Sequence, residues 1–136
     1  METDSREQLY RQILNYPYWL HRIPLGDEAF TPGFKTLDWD ALELPERLDG
    51  KTFLEVGAAD GIYAFEAERR GAESVATDIW ADSQVEAPRW EGVSSRRRSF
   101  DLCREYLDST VEGRTLPVEE LSPETVGRFD IVLCSD

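Results

Sequence analysis

The stretch from Lys51 to Trp80, KTFLEVGAADGIYAFEAERRGAESVATDIW, reads in order as strand, glycine turn, helix and strand, with an acid at the end of each strand. Thr52 to Val56 is a short apolar run with β-branched and aromatic members. Gly57 to Gly61 is a turn of small residues, and Ile62 to Arg70 resumes with helical spacing. Gly71 closes that helix. Ser74 to Thr77 supplies a second buried strand, and Asp78 stands at its end. Crossovers between parallel strands are right-handed, and ligands sit outside the carboxyl ends of such strands. The Gly57 turn and Asp78 are therefore expected to face one ligand.

Gly57 permits a sharp turn and a close backbone approach to a ligand, and Gly61 permits close packing or a positive φ where the helix begins. Asp78 is placed to accept hydrogen bonds from both hydroxyls of a ribose, and Glu55 to face a cationic amino group. Those are the demands of S-adenosylmethionine. A dinucleotide would need a G-x-G-x-x-G turn, with its pyrophosphate against the helix amino terminus. Here Ala59 takes the place of a glycine, and Asp60 puts negative charge at the helix mouth. The plainer alternative is that Gly57 and Gly61 only form a tight turn and that Asp78 caps the next segment.

These residues resemble the motifs of class I methyltransferases: LEVGAADG their first motif, VATDIW their second, and FDIVLCSD the strand that begins their fourth. Upstream, WLHRIPLGDEAFTPG from Trp19 to Gly33, followed by Trp39-Asp40, resembles the tRNA wobble-uridine methyltransferase family. The resemblance implies an α/β fold, a Rossmann-like parallel sheet with helices on both faces. It also implies that Gly57, Ala58 and Gly61 line the methionine portion, that Glu55 holds the ammonium through a water, and that Asp78 binds the ribose. Ile79 would border the adenine, Val118 and Glu119 would border and hydrogen-bond it, and Ser135 and Asp136 would lie beside the sulfonium. Two departures stand out. Ala59 replaces a common glycine, and Asp38 lies where the wobble-uridine enzymes carry a basic residue for a carboxylated cofactor. An acid there favours ordinary S-adenosylmethionine.

Only four strands are legible, near Phe53, near Val75, from Val111 to Leu116, and from Ile131 to Cys134. That is fewer than the resembled fold contains, so the chain reads as an amino-terminal portion whose carboxyl half is missing. Its last apolar strand is expected to be an exposed edge that invites association. Residues 1–49 are expected to form a helical and aromatic prefix, and residues 50–136 the cofactor-binding half of a single domain. In the prefix, Leu9, Tyr10, Ile13 and Leu14 follow helical spacing until Pro17. Aromatics then alternate with Pro24, Gly26, Pro32 and Gly33, which is loop chemistry rather than sheet. By the same resemblance this prefix would fold over the cofactor as a lid; packing against the sheet edge is the plain alternative. Residues from Trp39 to Leu48 suggest a short helix, and Ser94 or Ser95 could cap a helix carrying Phe100, Cys103 and Leu107.

With 15 Lys and Arg against 28 Asp and Glu, the 136-residue chain has a net charge of −13, which opposes nonspecific binding to nucleic acid. Arg96-Arg97-Arg98 reads as the exposed side of a helix rather than a phosphate site. The only histidine, His21, has no visible partner to orient it as a base, and Lys35 and Arg22 are weak candidates for substrate contacts. Cys103 and Cys134 look like core residues of a chain in a reducing cytoplasm, with neither a disulfide framework nor a zinc site. No run is long and apolar enough for a membrane span, and no signal peptide or metal-ligand pattern is apparent. The expected activity is methyl transfer to a small molecule or a tRNA base. A cofactor-binding module without catalysis and an NAD-linked oxidoreductase are the alternatives.

Overall fold

The computed structural model describes residues 3–80 and 95–134. At its centre Thr52–Val56 (β3) pairs in parallel with Glu73–Asp78 (β4) on one side and with Ile131–Cys134 (β6) on the other; β4 pairs in parallel with Glu112–Thr115 (β5). The order β5-β4-β3-β6 places the reversal of strand order between β3 and β6. In such sheets that reversal opens a crevice at the carboxyl ends of the strands. β3 is the most deeply buried strand, with Phe53, Leu54, Glu55 and Val56 all buried. A strand covered on both faces reads as a continuous apolar run, and Glu55 is the one polar interruption. The fold is Rossmann-like, as the strand–turn–helix–strand pattern led us to expect.

Helices cover both faces. Ile62–Arg69 (α2) lies against β3 and β4, burying Ile62, Ala64, Phe65 and Ala67. Beside it pack Thr3–Asn15 (α1), through Leu9 and Ile13, and Ser95–Tyr106 (α3), through Phe100, Leu102 and Cys103. The opposite face carries a smaller cluster of Leu54, Val56 and Val126, the last from the short helix Pro123–Val126 (α4). Ser122 and Thr125 close a capping box on α4, and Pro123 occupies its first turn, where a missing N–H costs nothing. Phe65 stacks on Phe100 at 5.3 Å, and Trp80 packs on Phe100 at the same separation, so an aromatic layer supports the turn after β3. Gly61 sits against that layer with φ +96°. A Cβ there would come within 2.9 Å of both Phe65 and Phe100, so both backbone and space require glycine.

The prefix differs from expectation in two places. Pro24–Gly26 (β1) and Ala29–Phe30 (β2) form a short antiparallel hairpin where loop was expected. Asp27 and Glu28 both take positive φ (51° and 61°), the conformation of a two-residue hairpin turn that matches strand twist, so no glycine marks it at the tip. From Trp39 to Leu48 only Asp40–Leu42 forms a 3-10 turn, because Glu43 adopts the left-handed region and Pro45 follows. Trp39 instead packs beside Phe53 under the guanidinium of Arg70. Cys134 is exposed rather than in the core: it lies on β6, which is outermost among the described strands. Cys103 is buried as expected. The expectation placed on Ser94 lies outside the described residues. Among the described residues no helix is long and apolar enough to cross a membrane.

Candidate cofactor-binding site

The turn from Gly57 to Gly61 leaves β3 beside the end of β4, and four of its backbone donors are consumed within the fold. Gly57 and Ala58 both donate to the Thr77 carbonyl (2.9 and 3.0 Å), Ala59 donates to Asp78 Oδ2 (2.8 Å), and Gly61 donates to the Ala58 carbonyl (2.8 Å). The first turn of α2 is likewise occupied. Ile62 N–H donates to His21 Nδ1 at 3.4 Å, and Ala64 N–H to Glu55 Oε1 at 2.9 Å. A helix amino terminus normally offers these N–H groups to an anion. Here the Glu55 carboxyl from below and an imidazole from the side have taken them.

Each acid near the turn has a distinct position. Glu55 is 1% exposed, and burial raises its carboxyl pKa to about 8, with Asp78 and Asp60 adding repulsion and the α2 N–H groups opposing the shift. Its carboxyl therefore caps α2 from beneath the turn. Asp60, 3% exposed, accepts from the consecutive N–H groups of Leu20 (2.8 Å) and His21 (2.7 Å) through Oδ2, and from the Ser99 hydroxyl through Oδ1. It thereby ties the prefix and α3 to the turn. Asp78 is half-buried. One oxygen takes Ala59 N–H and the other Trp80 N–H (3.0 Å). A carboxylate offers about four acceptor positions, so roughly two remain for a ligand at the strand end.

The prefix closes over the turn by its own short ladder. His21 bridges Lys35, Arg22 N–H donates to the Lys35 carbonyl (2.8 Å), and Phe34 and Lys35 N–H both reach the Leu20 carbonyl (3.1 and 2.9 Å). Gly33 lies so near His21 that a Cβ would stand 2.1 Å from the His21 carbonyl oxygen. Between prefix and turn lies a cleft of about 480 Å³, within the range of small-molecule sites. Leu20, His21, Lys35 and Thr36 line it from the prefix; Gly57, Ala59, Ile62 and Tyr63 line it from the turn and α2.

Of the expected site residues, Gly57 is on the cleft wall, and Ala58 and Gly61 are buried behind it. Ile79 (38% exposed) and Val118 (64% exposed) stand beyond the ends of the adjacent strands β4 and β5, with Glu119 beside Val118 in the 3-10 turn Val118–Glu120. Two apolar side chains left open at neighbouring strand ends make a natural border for a flat ring. Ser135 and Asp136 lie outside the described residues. Sequence reasoning gave Trp80 no role, read Asp60 only as a charge at the helix mouth, and held Lys35 a weak candidate. Trp80 is 5% exposed, and its Nε1–H holds the Ala59 carbonyl at 2.7 Å. Asp60 anchors the prefix. Lys35 was noted only weakly, yet it is one of two lysines in the chain and lines the cleft. Arg97 of the arginine run is engaged by Asp101, Thr115 and the Gly113 carbonyl, and lies over Trp80.

The chain is 32% identical over 100 residues to a ubiquinone biosynthesis O-methyltransferase of Bordetella avium, an overlap of 74% of this chain and 36% of that protein. Proteins of the same name from Acinetobacter baylyi (33% over 93 residues) and Acinetobacter baumannii (35% over 89 residues) each overlap 65% of this chain and 32% of their own length. The chain is similar to methyltransferases. It spans about a third of the length of the curated relatives it matches. No family model matches. Among solved structures, a carveol dehydrogenase from Mycobacterium avium in complex with NAD aligns over 65% of this chain and 36% of that chain at 23% identity. Its TM-score of 0.42 is too low to carry an argument.

Proposed function

We propose that the chain forms the cofactor site of an S-adenosylmethionine-dependent methyltransferase. The observation that carries this reading is the occupation of the turn: the N–H groups of Gly57, Ala58, Ala59 and Gly61, and those of Ile62 and Ala64 opening α2, are spent on Thr77, Asp78, Ala58, His21 and Glu55. A diphosphate would find few backbone donors there, which argues against an NAD-linked oxidoreductase. A nucleoside fits, because Asp78 keeps acceptor positions for ribose hydroxyls while Ile79 and Val118 stand open for a flat base. The relatives' name supports methyl transfer and an oxygen nucleophile on the acceptor. The net charge of −13 favours a small acceptor over a tRNA base, so the narrower wobble-uridine resemblance rests on the prefix sequence alone.

When bound, S-adenosylmethionine supplies an electrophilic methyl for in-line displacement by the acceptor, with S-adenosylhomocysteine as the leaving product. Gly57 and Ala59 then give the methionine portion an open wall, Asp78 orients the ribose, and the prefix ladder excludes water from the cleft. Holding reactants in line contributes up to about 7–11 kcal/mol in favourable systems. His21 is not the base. Its Nδ1 accepts the Ile62 N–H and burial lowers its pKa, so the neutral ring carries its proton on Nε2 and has no free lone pair.

Titration calorimetry with S-adenosylhomocysteine and, separately, NAD tests the reading. The thioether should bind, and Asp78→Ala should weaken it about tenfold or more through loss of charge-assisted ribose bonds. Tighter binding of NAD than of the thioether would refute the assignment. Detectable methyl transfer by the chain would distinguish a catalyst from a binding module.

A further inference from the structure

Among the described residues six that are not glycine take positive φ, and four of them are acidic: Asp27, Glu28, Glu43 and Asp108. The other two are Ala59 (φ 51°) and Trp80 (φ 42°), and they are bonded to each other. Neither a methyl group nor an indole gives its own backbone the short-range hydrogen bond that lets an aspartate tolerate the left-handed region, so both residues need outside support. They find it in a closed circuit at the end of β4. Trp80 Nε1–H donates to the Ala59 carbonyl (2.7 Å), Ala59 N–H donates to Asp78 Oδ2 (2.8 Å), and Trp80 N–H donates to Asp78 Oδ1 (3.0 Å). Ala59 is therefore gripped through both its carbonyl and its N–H. The indole is itself fixed: it is buried, packs on Phe100 at 5.3 Å and lies 4.9 Å beneath the Arg97 guanidinium, which is tied to Asp101, Thr115 and the Gly113 carbonyl.

We propose that Trp80 is a positioning residue of the cofactor site: its indole N–H locks Ala59 in the left-handed conformation and, through the same circuit, fixes the carboxylate of Asp78. The proposal rests on the cofactor reading above, in which Ala59 lines the cleft and Asp78 orients the ribose. A glycine at the position of Ala59 would take positive φ without steric cost, whereas an alanine there needs a partner to hold it. Trp80 is that partner. The alignment of Asp78 follows, because its two oxygens are held by the two residues that the indole joins. Deleting the indole donor leaves the Ala59 carbonyl unpaired and lets Ala59 relax toward negative φ. Its N–H then swings away from Oδ2, and the carboxylate loses one of the two bonds that set its plane.

A double-mutant cycle tests this. Trp80→Phe keeps an aromatic ring against Phe100 and deletes the N–H donor; Ala59→Gly removes the need for that donor. Amide exchange of the ligand-free chain is read at position 59 and, as a control for global opening, at Leu54 in β3. Calorimetric titration with S-adenosylhomocysteine is run beside it. Trp80→Phe should speed exchange at position 59 and weaken the thioether, each by about fivefold to tenfold, with Leu54 changed by less than about twofold. In the Ala59→Gly background the same substitution should change both readouts by no more than about twofold, a rescue that a role in packing alone would not give. An equal loss in both backgrounds, no loss in either, or a rise in exchange at Leu54 as large as that at position 59 overturns the positioning role and leaves the cofactor reading in place. Failure of the unaltered chain to bind the thioether overturns the cofactor reading and with it any role at a cofactor site, while exchange at position 59 still reports whether the indole holds the turn.

Discussion

Replacing Asp60 with alanine removes one buried carboxylate and strands three donors from two other parts of the chain. The Leu20 and His21 N–H groups lose acceptors at 2.8 and 2.7 Å, and the Ser99 hydroxyl loses its partner. An unsatisfied buried donor costs about 1–3 kcal/mol, so the loss should be roughly 3–5 kcal/mol after allowing for rotation of the hydroxyl and for relief of repulsion on Glu55. That is a large part of the ~5–15 kcal/mol that holds a domain folded. Asp60→Asn separates geometry from charge. Its amide oxygen can accept both N–H groups while its NH₂ donates to Ser99 Oγ, so the variant should lose only about 1–2 kcal/mol. Urea unfolding at pH 7 measures both, and amide exchange at Leu20 and His21 reports whether the prefix lifts from the turn. An alanine variant within about 0.5 kcal/mol of the parent, or an asparagine variant as damaged as the alanine one, would refute the anchoring role.

Glu55 makes stability fall as pH rises. Between the ordinary value near 4.5 and the folded value of about 8, the folded chain holds a proton that the unfolded chain releases. Each pH unit then costs up to ~1.4 kcal/mol, whereas Glu55→Gln should flatten the melting temperature across that window, and parallel profiles for the two proteins would refute the assignment. On β6, Val132 is 58% exposed and the strand is outermost among those described. We therefore expect association measurable by light scattering that Val132→Lys reduces; a monodisperse parent monomer would count against it.

The central unit was legible because its signals are local. Five residues with strand character, two glycines and a helical spacing lie within one continuous stretch, and β3, α2 and β4 formed at almost the expected bounds. Parallel pairing of β3 with β4 then followed from handedness alone and brought Asp78 against Ala59. The prefix was less legible because its order comes from partners far along the chain. Leu20 and His21 are held by a side chain about 40 positions away, and the β1–β2 hairpin turns on Asp27 and Glu28 in a conformation usually signalled by glycine or asparagine. Glu55 was recognised as part of the site, but its orientation could not be read from a strand pattern. Alternation gives the face of the sheet and not the donor that the carboxyl meets.

The acidity of this chain and the character of its cleft are reconciled by where the acids spend their oxygens. Glu55, Asp60 and Asp78 lie within 24 positions of one another and crowd one turn. Each is quenched by backbone N–H groups: Ala64 for Glu55, Leu20 and His21 for Asp60, and Ala59 and Trp80 for Asp78. Two of those donors, Ala59 N–H in the turn and Ala64 N–H at the start of α2, are ones with which a phosphate-binding turn would greet its ligand. On the proposed reading, the same residues that make the turn rigid also disfavour a polyanionic cofactor, by removing donors as well as by repulsion. Open toward a ligand are the unspent acceptor positions of Asp78 and the apolar faces of Ile79 and Val118. On the proposed reading, that remainder suits the ribose and the flat base of a nucleoside, which is the part of S-adenosylmethionine that lies at the strand ends.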